Sequence, residues 1–321
     1  MNLNKYLSSA IIGISFLVAG PASAGQLHVY TSDAAGFNTH SVWYDDGREI
    51  TVVDTQFTPA HAEALLASIK QQSKSPITRV IVTHPSPDKF NALSVFHREG
   101  AESIASAKTA AAIPGVDAYK RYYWVNIAKA FTEQSYPKIE PVKTTFNGQM
   151  KLTLKSGETI TLFELKQPGI ASNQTVVRFD RSGDLAVGDL VHTKNHAWLE
   201  GGIVEGKTHF TLAGWKADLE QLKKLSTKKG ARVYGGRGEF VPVKQAVKQQ
   251  IAYLETVDGI VGRYIHSLGT NTEELSDPNK QQGHYKAIQA ELVEAYPDYA
   301  MPDLVGYSVY GMIQTKLQKT K

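Results

Sequence analysis

Apolar positions along this chain switch between two spacings, every second residue and every third or fourth. Short alternating runs at 26–31, 40–44 and 49–54 predict strands, and Asp45-Asp46-Gly47 is a hairpin turn between the last two. Pro59 opens a helix predicted over 59–72, with Ala62, Leu65, Leu66 and Ile69 on one face. The β-branched run 77–83 reads as a strand covered on both faces, and a polar loop at 84–90 follows it directly. A helix at 91–99 and a strand at 103–106 come next. The middle of the chain predicts a helix at 116–131, a Pro-containing linker at 135–142, and strands at 150–154, 159–165 and 174–180. A turn at 180–183 leads into a strand at 185–187 that enters Gly188-Asp189. Apolar residues at helical spacing mark 212–225, and a strand at 231–234 ends in Gly235-Gly236-Arg237-Gly238. From Pro242 onward the pattern is largely helical, interrupted by a loop at 269–280 and a break at 300–302. Two α/β halves in succession predict a layered α/β fold. Ligands in such folds sit beyond the strand ends, which here points to the loops 84–90, 167–173, 188–196 and 235–238.

The first 24 residues differ from the rest. A polar start with Lys5, an apolar run from Ser8 to Gly20 and then Pro21-Ala22-Ser23-Ala24 form the pattern of a secretory signal peptide cleaved after Ala24. The expected mature product is periplasmic or secreted, with no membrane insertion after cleavage, because no other apolar run approaches the roughly 20 residues a span needs. The formal charge of +4 falls only to +3 with the loss of Lys5, which is too mild a field to argue for nucleic acid as a partner. The chain has no cysteine, which excludes thiolate zinc sites and cysteine nucleophiles.

The strand Arg79-Val80-Ile81-Val82-Thr83 running into His84-x-Ser86-x-Asp88-Lys89 resembles the metallo-β-lactamase superfamily, whose signature at this place is H-x-H-x-D-H. Further segments resemble that family in the same order. They are Thr51-Val52-Val53-Asp54-Thr55, Gln167-Pro168-Gly169-Ile170 at the P-G-H position, Ala186-Val187-Gly188-Asp189-Leu190-Val191, the helix 210–225, and Val233-Tyr234-Gly235-Gly236-Arg237-Gly238 at the G-H-G position. The resemblance spans residues 27–242. It implies a four-layered αββα sandwich at 25–241, followed by a helical extension at 242–321 packed on that domain. The extension is a candidate homodimer surface.

In that family two divalent ions are held by imidazoles and carboxylates and activate a water for hydrolysis. This chain keeps His84, Asp88 and Asp189 at ligand positions, and these are the candidate catalytic residues. The remaining histidines of the signature are replaced by Ser86, Lys89, Ile170 and Arg237. Protonated lysine and arginine offer no lone pair, and isoleucine has none at any pH. Lys89 and Arg237 instead bring two positive charges toward Asp88 and Asp189, so the charges balance with no metal, and none is expected. Ser86, Lys89, Arg237 and His196 are the candidate pocket and ion-pair residues, with His192 and His196 spaced i, i+4 after Asp189. Two functions follow. One is a catalytically altered or inactive hydrolase relative that binds a small polar or anionic ligand. The other is a hydrolase of an ester, lactone, amide or phosphoester, working with one zinc ion on His84, Asp88 and Asp189.

Overall fold

A computed structural model describes residues 25–226 and 228–320, so the expected signal segment 1–24 lies outside the described residues. The first sheet orders β1 (Gln26–Thr31), β2 (His40–Asp45), β3 (Ile50–Val53), β4 (Ile77–Ile81), β5 (Glu102–Ser106) and β6 (Thr144–Phe146) side by side. Its first three strands are antiparallel, and β3 to β6 are parallel. The crossovers are helices: α1 (Pro59–Gln72), the short α2 (Pro87–Phe90) and α3 (Leu93–Arg98), then α4 (Ala107–Tyr122). Thr58 caps α1 by accepting from the His61 amide, and Pro59 fits the first turn, where its missing N–H costs nothing.

The second sheet orders β7 (Gln149–Thr153), β8 (Thr159–Glu164), β9 (Thr175–Phe179) and β10 (Asp184–Thr193) as an antiparallel meander. A hairpin, β11 (Gly202–Val204) with β12 (Lys207–His209), leads to α5 (Leu212–Leu225). The chain then returns as β13 (Arg232–Gly238), parallel to β10, and β14 (Val241–Pro242). Helices α6 (Val243–Ser267), α7 (Gln281–Ala295) and α8 (Asp303–Thr320) follow.

Alternation along the strands builds the layers. Val80 and Val82 pack with Leu65, Ile69 and Phe96 beneath α1 and α3, whereas Ile81 between them points the other way. There it meets Ile160, Leu162 and Val177 of the opposite sheet. On β10, Ala186 faces this inter-sheet core, while Leu185 and Val187 join Trp215, Leu219, Val257 and Val309 on the far side. Each central strand is thus apolar on both faces, and the result is the four-layered αββα sandwich. The C-terminal helices share one core with the second sheet. No helix among the described residues is long and apolar enough to cross a membrane.

Several elements differ from the sequence reading. Residues 188–193 and 235–238, expected as loops, are strand, because β10 and β13 stay paired out to Thr193 and Gly238. The ladder is interrupted by register shifts between Ala186 and His192. Such bulges re-aim side chains without ending a strand. Helix α4 starts at Ala107 rather than 116, since Ser106 caps it at the Thr109 amide and the helix absorbs Pro114. The β11–β12 hairpin was not foreseen. Its turn residues Glu205 and Gly206 both have positive φ, as a two-residue hairpin requires.

One buried carboxylate ties α5 to the loop before β9. Asp218 Oδ1 accepts from the Gln221 amide at 3.1 Å and from the Gln167 N–H at 3.4 Å, and Oδ2 has no partner. Burial pushes its pKa up from 3.8 to about 7. The folded state therefore holds this proton more tightly than the unfolded chain. The group favours folding at low pH, and that contribution is lost as pH rises from about 4 through 7. Asp218→Asn should consequently gain stability relative to the parent as pH increases over that window and then hold its lead. Urea midpoints at pH 4.5 and 8 measure this. An equal difference at both pH values would contradict it.

Candidate functional site

The site forms where β4, β10 and β13 end. Past β4, Thr83 donates its amide and hydroxyl to the Asp54 carboxylate, each at 2.9 Å. The hydroxyl has one proton, so His84 Nδ1, 2.9 Å from Thr83 Oγ1, is the donor in that contact. This turns His84 Nε2 toward Asp189 Oδ2 at 3.7 Å, too far for a hydrogen bond. Burial raises Asp54 to about 6, offset in part by the charges of Lys89 and His84.

The chain then turns through Ser86 into α2. The amides of Thr55 and Gln56 donate to the carbonyls of Lys89 and Asp88, which pins this turn to the end of β3. Ser86 Oγ donates to Asp88 Oδ1 at 2.8 Å. From the other half of the chain, β10 delivers Asp189 and β13 delivers Arg237. Four contacts close a ring. Lys89 Nζ lies 2.9 Å from Asp88 Oδ2 and 2.9 Å from Asp189 Oδ1. Arg237 Nη2 lies 2.9 Å from Asp88 Oδ2, and its Nη1 lies 2.9 Å from Asp189 Oδ1. Arg237 has two further bonds, from Nε to the Phe37 carbonyl at 2.8 Å and from Nη2 to Thr39 Oγ1 at 2.8 Å.

All four charged groups are buried. Burial alone would raise both carboxyls, but Lys89 and Arg237 outweigh it and hold Asp88 and Asp189 below the ordinary aspartate range. Burial would likewise lower the two cations, and the carboxylates outweigh it and raise them. The ring is fully ionised at neutral pH. Its closeness is enforced by glycine. A Cβ on Gly236 would overlap the Asp189 carboxylate, and one on Gly188, whose φ is +50°, would collide with Thr83 Oγ1.

A cleft opens above the ring. His84, Ser86, Asp88, Asp189 and Arg237 reach it. Its walls are Phe37, Phe57, Trp124 and Trp198, with Ile170, Lys120 and Glu200. Trp124 lies in a π-helical turn, Tyr123–Ile127, that continues α4. Lys120 pairs with Glu200, and Tyr310 of α8 donates to Glu200 as well. Phe37, Phe57, Trp124, Lys120 and Glu200 were not singled out from sequence. They lie far apart along the chain with no motif spacing, and Phe37 is placed by a left-handed turn (φ 61°) that Arg237 ties down through its carbonyl.

Two expected pocket residues are elsewhere. Lys89 lies behind the carboxylates and does not line the cleft. His196 is buried under the C-terminal helices, with Nδ1 3.1 Å from the Tyr253 hydroxyl and its ring against Tyr299. Lys194, at φ 52°, ends β10 and turns the chain away, which separates His196 from His192. His192 Nε2 stays 4.0 Å from Asp189 Oδ1, and burial lowers its pKa to about 3, so it is neutral.

Residues 34–237 match the family described as the metallo-beta-lactamase superfamily. The chain belongs to that superfamily. Among solved structures, a metallo-beta-lactamase from Pontibacter korlensis is 17% identical, covering 74% of this chain and 97% of that one, with a TM-score of 0.54. FIM-1 from Pseudomonas aeruginosa, in its mono-zinc form, is 14% identical over 72% of this chain and 90% of its own, with a TM-score of 0.52. The DIM-1 metallo-beta-lactamase is 20% identical over 73% and 94%, with a TM-score of 0.51. At these identities the likeness is one of fold.

The residues present do not fit the dinuclear metal centre of the superfamily. Asp88 Oδ2 and Asp189 Oδ1 already accept from two cations each, and Ile170 stands at a third ligand position. Among the described residues, no three His, Cys, Asp or Glu side chains gather so that they could hold an ion. Removing one cation from this ring leaves a buried carboxylate uncompensated. Lys89→Met should therefore cost about 3–5 kcal/mol. Adding Asp189→Asn should recover part of that loss, because Asp88 and Arg237 remain as a balanced pair. Urea denaturation of both variants measures the effect, and strictly additive losses would show that the ring is not coupled.

Proposed function

We propose that this chain is an exported member of the metallo-beta-lactamase superfamily in which a metal-free ion-pair ring replaces the dinuclear centre. On this reading it is a catalytically altered or inactive hydrolase relative whose cleft binds a small molecule. The observation that carries the reading is the saturation of Asp88 and Asp189 by Lys89 and Arg237 at 2.9 Å in all four contacts. A cation entering there would have to displace both side chains or face two buried positive charges. With no ion held between Asp88 and Asp189, the family's metal-activated nucleophile does not arise on this reading. Export rests on the leader pattern ending at Ala24.

The expectation of an anionic ligand held by Lys89 and Arg237 loses its basis, because both cations are committed to carboxylates. Serine chemistry is equally unsupported. Ser86 Oγ is spent on Asp88, a carboxylate already held by two cations.

Elemental analysis of the purified mature protein, before and after incubation with zinc and dialysis, should find metal well below one equivalent per chain. Stoichiometric, retained zinc, iron or manganese would overturn the reading. A second arm compares the parent with the combined variant Ser86→His, Lys89→His, Ile170→His and Arg237→His on generic esters and lactams. The parent should be the slower of the two in the presence of zinc.

A further inference from the structure

We infer that residues 118–135, which are the end of α4, its π-helical turn and the loop that follows, form a lid over the cleft, and that the Lys120–Glu200 ion pair latches it shut. The lid rests on the reading of the cleft as a small-molecule site and adds how that site is entered.

The free space inside the cleft amounts to about 50 Å³, room for a few waters. Pockets that bury a small organic ligand start at about 300 Å³. The walls stand too close for such a ligand, which enters only if one of them moves.

The two walls differ in how firmly they are held. The wall at 198–203 is fastened. Leu199 donates its amide to Ser308 Oγ of α8 at 2.8 Å, and Ala197 donates its amide to the Tyr253 hydroxyl of α6 at 3.3 Å. Ile203 is packed into the core with Val116. The opposite wall is loose. No residue from 118 to 135 is buried, whereas Val116 and Asp117 before it and Tyr136 and Pro137 after it are. Segments with little buried surface open at low cost. The stretch also leaves regular α-helical bonding at Tyr123–Ile127, and Lys129 turns it with a φ of 52°. Lys120 and Trp124 bring it against the cleft. The Trp124 ring leans on Phe37 and on Phe57, with centroids 5.5 Å away in both cases.

The latch crosses from one wall to the other. Lys120 pairs with one carboxylate oxygen of Glu200, and the two side chains are only 14% and 9% exposed. Lys120 Nζ also lies 5.4 Å from the centre of the Trp198 ring, where a cation is attracted to the aromatic face. The other Glu200 oxygen accepts from the Tyr310 hydroxyl of α8. That hydroxyl has a single proton, so Tyr119 is the donor in the 2.6 Å contact between the two tyrosines. Burial, and after it the Glu200 charge, raises the Tyr310 pKa and keeps this hydroxyl a donor. Both oxygens of Glu200 are thus engaged, one by the fastened wall and one by the lid. A pair this shielded is little screened by salt, and removing one partner strands the other.

Hydrogen exchange read by mass spectrometry on the ligand-free mature chain tests the latch. Lys120→Met and Glu200→Gln should each speed exchange of the helical amides at 118–127 by about tenfold and leave β4 and β10 as protected as in the parent. The double variant should match the single ones, because either change alone opens the latch. Acrylamide quenching is a second readout. Trp43 and Trp215 are buried, so quenching reports on Trp124 and Trp198, and it should rise in the same variants. Unchanged exchange and quenching in both single variants would overturn the inference. So would gains that add up in the double variant, or a loss of protection shared by β4 and β10. Metal content is measured on the same samples. Retained zinc together with a faster-exchanging lid would overturn the metal-free reading and leave the lid standing. Unchanged exchange in metal-free protein would overturn the lid alone.

Discussion

Two carboxylates and two cations, closed into a buried ring with every contact at 2.9 Å, are the constraint on which the rest of this site depends. Buried ions are costly individually, and only near-ideal geometry and full pairing offset the loss of hydration. Both conditions are met. Lysine and arginine are not interchangeable in meeting them. Lys89 acts as a compact point charge between two oxygens. Arg237 uses its planar fork to touch both aspartates while Nε and Nη2 reach the Phe37 carbonyl and the Thr39 hydroxyl. A lysine at 237 would leave that second pair of bonds unmade.

The ring also joins the two halves of the fold. Asp88 and Lys89 come from the turn after β4 in the first sheet, and Asp189 and Arg237 come from β10 and β13 in the second. Below it, Ile81, Val53 and Ala186 belong to the apolar inter-sheet core. The sandwich is thus held by apolar burial between the sheets and by charge at its upper rim. The rim imposes local demands. Gly236 can carry no side chain because the carboxylate occupies that space, and Gly188 must adopt positive φ beside Thr83. The shifted register of β10 over these residues is the backbone's way of presenting Asp189 without leaving the sheet.

Much of this was legible in the sequence, for physical reasons that differ by element. The β-branched run before His84 and the heptad-like face of α1 follow from burial periodicity, which is local. The convergence of Asp88, Lys89, Asp189 and Arg237 was legible because four charged residues stood at positions that a family resemblance brings together, and their signs summed to zero. The cleft walls were not legible. Phe37 owes its place to a left-handed turn fastened by Arg237, and Trp124 to a π-helical turn; neither leaves a periodic signal. His196 was misplaced because nothing in the spacing of the two histidines shows the turn between them. The segment is instead the end of a strand followed by a turn at Lys194.

The saturation that makes the ring stable also limits what it can do. The charge of each cation is already balanced by two buried carboxylates, so positive charge in this pocket does not translate into anion affinity. What faces the cleft is set by what the ring leaves over. That is the edge of the His84 ring beside the second oxygen of Asp189, and the aromatic walls that Arg237 helps to hold through Phe37. On the metal-free reading, recognition therefore falls to the sides of the cleft rather than to its floor.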